Sequence, residues 1–123
     1  VRNKRGFKSI VETIKRYEEE VAVVSQSSIL NKQTGKFEKN RTENVRKLAL
    51  FKKNDGYKIT KGGGVVDASI KLYSTFFLKS DDNGADIPDI VIHDKQRYKI
   101  ISCEKRVECN PTVYISFGVH VDD

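Results

Sequence analysis

Residues 65–104 read VVDASIKLYSTFFLKSDDNGADIPDIVIHDKQRYKIISCE, and their pattern decides the fold. Across 69–75 the apolar Ile70, Leu72 and Tyr73 are flanked by Ser69, Lys71 and Ser74, as expected of a strand with one wet face. Residues 80–89 hold Asp81, Asp82, Asn83, Gly84, Asp86 and Pro88, which favour turns and build no apolar face, so this segment predicts a loop. Then 89–93 (DIVIH) and 97–102 (RYKIIS) flank Asp94, Lys95 and Gln96, a short polar connection that predicts a β-hairpin whose turn contains no glycine.

Toward the C-terminus, 104–111 (EKRVECNP) is a charged connection. The clearest strand follows at 112–121 (TVYISFGVHV), where Val113, Ile115, Phe117, Val119 and Val121 alternate on one face. Tyr114, Ser116, Gly118 and His120 take the other, so His120 is expected to point to solvent or a partner.

Toward the N-terminus, Lys61-Gly62-Gly63-Gly64 invites comparison with a phosphate-binding loop. That loop needs GxxxxGK, then Ser or Thr and a helix, whereas this run leads into Val65, Val66 and a strand. It is read as a connection between strands. Asn54, Asp55 and Gly56 predict a turn, followed by a short strand at Tyr57 and Ile59. Residues 45–51 (VRKLALF) predict a strand pairing back on 21–25, within a β-branched run at 20–30.

Between those two strands, 31–44 (NKQTGKFEKNRTEN) contains one large apolar residue, Phe37. It predicts a long exposed loop or a hairpin tip, and loops of that length are commonly functional. Ahead of it, Phe7, Ile10, Val11, Ile14 and Tyr17 fall on one face of a short amphipathic helix, with Lys15 and Arg16 at its negative end. Residues 1–6 form a basic arm with Arg2, Lys4 and Arg5 and nothing to tie it to a core.

The 123 residues suit a single domain. The formal charge of +6 is unevenly placed, about +9 over 1–64 and −3 over 65–123. A basic end suits nucleic acid or the acidic end of another copy. Cys103 and Cys109 lie in no CxxC pair and at no ligand spacing from His93 or His120, so no metal or cofactor is implied, and both thiols are expected reduced. No apolar run approaches the length of a membrane helix. The histidines are unpartnered in sequence, no GxSxG elbow occurs, and DDNGADIPD lacks the spacing of a calcium loop, so catalysis is not expected. The elements together predict a mainly β chain. It would be a small antiparallel barrel or sandwich of six to seven strands with one short N-terminal helix and a long projecting loop.

The order of parts from Ile70–Thr75, through Leu78 and the acidic 86–90 segment, to the hairpin at 94–100 resembles the head-closure, or stopper, group of tailed-bacteriophage head-to-tail connector proteins. The likeness covers about a third of the chain. It implies a structural virion protein, assembled in the host cytoplasm and resident in the neck, that closes the head after DNA packaging and docks the tail. The implied partners are other copies in a twelve-fold or six-fold ring, a portal or adaptor protein, a tail terminator or tail-tube protein, and packaged double-stranded DNA. In that family a long loop projects into the ring channel, which makes Lys32, Lys36, Lys39 and Arg41 the candidates for sequence-independent phosphate contacts. Asp81, Asp82 and Asp86 would face a protein partner. Two alternatives stand beside it: a tail terminator or tail completion protein, and an OB-like module for single-stranded nucleic acid, which would stack bases on exposed aromatics such as Tyr57, Tyr73 and Tyr114.

Overall fold

The computed structural model describes residues 2–80, 87–106 and 112–122, with side chains from residue 10 onward. Its elements run α1 (Arg2–Tyr17), β1 (Glu18–Leu30), β2 (Phe37–Lys61), β3 (Gly64–Ser74), β4 (Ile90–His93), β5 (Gln96–Arg106) and β6 (Val113–Val121). The strands close into a barrel in the order β1, β2, β3, β6, β5, β4, with every neighbouring pair antiparallel. The predicted mainly β class with one N-terminal helix is what the chain adopts.

The interior is filled from five strands: Val21 and Val23 of β1, Leu48 of β2, Ile70 and Leu72 of β3, Val91 of β4, and Tyr98, Ile100 and Cys103 of β5. Leu78, from the connection after β3, joins them and is fully buried. Cys103 is therefore a free thiol inside the core, while Cys109 lies outside the described residues.

β6 faces opposite to the simple expectation that its apolar side is the inner one. Directly paired residues share a face, and Ile70 pairs with Gly118 and Leu72 with Ser116, so Ser116 and Gly118 point inward. A Cβ at Gly118 would lie 3.1 Å from the Ile70 side chain, so the small residues of β6 make room for the large ones of β3. The apolar side of β6 is the outer one, and α1 covers part of it. Ile14 packs on Val113, with Ile10, Val11 and Tyr73 around them. Tyr17, Phe51 and Tyr73 extend this outer layer as successive edge-to-face rings at 5.7 and 5.6 Å.

Three other local expectations change and a fourth is resolved. The helix begins at Arg2, so the backbone of the basic arm belongs to α1; its charged residues are good helix formers, and Gly6 costs only about 1 kcal/mol against alanine. Strand 45–51 pairs with β1, but Val21 sits opposite Arg46 and Ser25 opposite Thr42, so the register runs several residues further toward the N-terminus of β2 than expected. Asn54-Asp55-Gly56 does not reverse the chain. It lies in a bulge of β2, between the pairs Lys52 to Ile70 and Tyr57 to Ala68, where Gly56 adopts a φ of 68°. Finally, of the two forms expected for 31–44, a long loop or a hairpin tip, the chain adopts the hairpin tip, with β2 starting at Phe37 opposite Leu30.

The β4–β5 hairpin is as expected, and its turn is tight. His93 pairs with Gln96, and the two residues between them, Asp94 and Lys95, have φ of 51° and 65°. That is the backbone of a type I′ turn, which asparagine, aspartate or glycine adopts readily and lysine does not.

Three stability measurements follow from these left-handed residues. Lys95→Gly should raise the free energy of unfolding by about 0.5–1 kcal/mol in urea titrations, since it relieves a left-handed lysine in a preserved turn. Gly56→Ala should lower it by about 2 kcal/mol or more, because the new Cβ would sit 2.7 Å from the Ala68 carbonyl oxygen at a left-handed φ. Gly62→Ala, also left-handed but in open space, should cost only about 1 kcal/mol.

Candidate functional site: a two-faced ribbon

Beyond the barrel, β1 and β2 continue together as a two-stranded ribbon. On one side β4 pairs with β1 only as far as Val24, and on the other β3 pairs with β2 only from Ala49 onward. Residues 27–30 and 37–47 are exposed on both faces. From Ser25 to Leu30 the ribbon extends roughly 17 Å at about 3.4 Å per residue.

Asn31 organises the tip. Its amide N–H donates to the Lys36 carbonyl at 2.8 Å, and its own carbonyl accepts from Gly35 at 2.8 Å. Its side-chain oxygen accepts from the backbone of Gln33 at 2.9 Å, and its side-chain nitrogen donates to Glu38 Oε1 at 2.7 Å. Gly35 supplies the left-handed residue that lets the chain turn, with a φ of 69°.

Register then sorts the side chains. Ser25 with Thr42, Ser27 with Asn40, and Ile29 with Glu38 continue the inward face of the barrel, a side made mostly of small neutral polar groups. Gln26 with Arg41, Ser28 with Lys39, and Leu30 with Phe37 form the opposite face. Lys39 and Arg41 therefore share one face, with an apolar pair beyond them. Lys32 and Lys36 lie in the turn at the tip. Arg41 also meets Glu43 at 3.7 Å, an exposed pair that holds it only weakly.

The four basic residues that the resemblance made candidates are thus brought into one projecting element. What composition did not reveal is its apolar end, where Phe37 is 72% exposed, Ile29 52% and Leu30 49%. The strand register is the signal that groups Leu30 with Phe37. Arg2, Lys4 and Arg5 belong by backbone to α1 rather than to this ribbon, and Asp81, Asp82 and Asp86 lie outside the described residues.

At its root the ribbon meets the segment after β3. The Arg46 guanidinium stacks over the Phe76 ring at 3.8 Å. Lys79 Nζ donates to the Gln26 carbonyl at 2.8 Å, and its backbone N–H donates to Asp89 Oδ2 at 2.9 Å. The histidines sit at the opposite end of the barrel, beside the β4–β5 turn and the end of β6. His93 pairs with Glu19, and His120 bonds to Gln96. No group of three or more metal-ligating side chains occurs among the described residues.

Because both faces of the ribbon are wet, it contributes little burial to the barrel. Joining Gln26 to Arg41 through Asn-Gly, which their direct pairing permits, should leave near-UV circular dichroism unchanged and the thermal midpoint within a few degrees of the full chain.

No protein-family model matches this chain, and a search of curated proteins found no significant match.

Proposed function

We propose that this chain is a structural neck protein of a tailed bacteriophage, forming a ring that closes the DNA-filled head and presents a docking surface to the tail. The observation that carries this reading is the ribbon: a hydrogen-bonded arm, roughly 17 Å long, with Lys32, Lys36, Lys39 and Arg41 at or near its end. The likeness of 70–100 to stopper proteins supports it, as does the excess of positive charge in the half of the sequence that carries the ribbon. In the ring, the ribbon meets DNA phosphates without reading sequence. The remaining partners are the portal or adaptor on the head side and the terminator or tube on the tail side.

A second reading, a module for single-stranded nucleic acid, has one observation in its favour. On the outer face of the barrel, Lys71 Nζ lies between the rings of Tyr73 and Phe117, at 5.2 and 5.8 Å from their centroids. Yet Tyr73 packs edge-to-face with Phe51, and Tyr57 with Phe117, which covers part of the ring surface that bases would need for stacking.

The deciding experiment adds purified protein to DNA-filled heads that lack it and observes them by electron microscopy. The neck reading expects an added ring at the portal vertex and retained DNA. Replacing Lys32, Lys36, Lys39 and Arg41 together by serine should leave the ring in place while DNA leaks. A protein that ignores heads but binds free single strands, with affinity falling steeply as salt rises, would be the nucleic-acid module instead. A protein that leaves heads open and restores the length or joining of tails would be a terminator.

A further inference from the structure

Between Ser25 and Thr42 the only acidic side chain is Glu38, and it is turned away from the cations. Glu38 pairs with Ile29 on the face that continues the barrel interior, where the Asn31 side-chain amide donates to it at 2.7 Å. The opposite face carries Gln26 with Arg41, Ser28 with Lys39, and Leu30 with Phe37, and meets no carboxylate until Glu43. Arginine, lysine and glutamine beside exposed leucine and phenylalanine are the side chains with which proteins enter the minor groove of DNA. There the polar groups meet base edges and phosphates while an apolar wedge opens a base step.

The apolar pair is the part of the ribbon that phosphate binding leaves unexplained. Phe37 is 72% exposed and Leu30 49%, and the turn that joins them, Asn31 to Lys36, includes no apolar side chain. Two side chains are too few for a protein interface of standard size, about 800 Å² on each side, and too few to anchor the ribbon in a bilayer. They suffice for one base step. Lys39 stands about 7 Å behind Phe37 and Arg41 about 14 Å, at roughly 3.4 Å per residue. Those distances correspond to about two and four base pairs of duplex. Width agrees with a wedge as well. Two strands about 4.8 Å apart are, with their side chains, broader than a minor groove of about 6 Å, so the groove must open to admit them. Insertion between base pairs bends the duplex toward the major groove and does so.

We propose that this face of the ribbon lies in the minor groove of duplex DNA, with Phe37, backed by Leu30, inserted between two base pairs and Lys39 and Arg41 following along the groove. The inference deepens the DNA contact of the neck reading and rests on that reading for its role there. Proteins held by charge alone slide along DNA, whereas a side chain in the base stack must be withdrawn before the duplex can move. The wedge therefore supplies the hold that phosphate contacts lack.

The test uses the full chain and free duplex at low salt, without heads. The chain contains no tryptophan, so Phe37→Trp places a single indole at the wedge, and duplex DNA should quench its emission through stacking. Energy transfer between dyes at the two ends of a short duplex should report a kink of roughly 20–90° when the wild type binds. Phe37→Ser should bind about tenfold more weakly and leave the duplex straight at saturation, with the circular dichroism of the protein unchanged. Lys39→Ser should lower the salt slope by about one and keep the kink.

A wild type that does not bind duplex, binding that leaves the duplex straight, or a kink that persists in Phe37→Ser would each overturn the wedge. So would an indole whose emission ignores duplex and responds instead to anionic lipid vesicles, or to protein concentration alone. Heads that gain a ring while free duplex stays straight would overturn the wedge and leave the neck reading intact. A Phe37-dependent kink made by a protein that heads ignore would support the wedge and count against the neck reading.

Discussion

The narrow interior of a closed six-stranded barrel is the constraint on which the rest of this structure depends. Ile70 and Leu72 project into it from β3, and nothing bulky can stand opposite, so β6 presents Ser116 and Gly118 there. The valines and isoleucine of β6 are consequently turned outward. An outward apolar strip needs cover, and α1 supplies it at Val113. The helix is therefore required by the volume inside the barrel rather than appended to it. Closure also bends the strands. The irregularities between Lys52 and Tyr57 in β2 and between Ile100 and Ser102 in β5 are where the ladders give way.

Within the barrel every strand has a neighbour on both sides, as closure demands. The ribbon is where unpaired edges reappear. Its β2 side carries Lys39, Arg41, Glu43, Arg46 and Lys47, a density of charge that discourages indiscriminate edge pairing. The β1 side, Ser27 and Ser28, has no such protection. Specificity on that side must come from shape and from the tip, which is consistent with an element meant to meet a defined surface.

Alternation made β3 and the β4–β5 hairpin readable, because each has one wet and one dry face and a local turn. The same test could not say which face of β6 was inner, since a period of two marks two sides without ranking them. Tertiary volume ranked them, and Gly118 was the residue that carried the hint. Residues 37–44 were unreadable as strand for a related reason: both faces are solvated, so no apolar alternation exists to be found. Asn54-Asp55-Gly56 has turn chemistry, but a glycine at positive φ serves a bulge as well as a reversal, and only the pairing partners decide between them. The basic residues of the ribbon could be named through the family resemblance, whereas the burial of Asp89 could not be read. Asp89 reads as a turn former beside Pro88, and its burial goes with Lys79, ten positions earlier, whose carbonyl accepts from the Asp89 N–H and whose own N–H donates to Asp89 Oδ2.

The helix has a different standing from the barrel it covers. Among the residues whose side chains are described, its buried contacts form a small cluster around Ile14 and Val113, separate from the ten-residue cluster inside the barrel. Opening it would expose Ile10, Val11, Ile14 and Tyr73 while leaving the interior packed. Protein segments held by few apolar contacts detach at free energies well below that of global unfolding. Hydrogen exchange in α1 would accordingly run ahead of exchange in β3 and β5. The outer strip of β6 would then be uncovered at intervals in an otherwise native barrel, and the basic N-terminal segment would move with the helix as one unit.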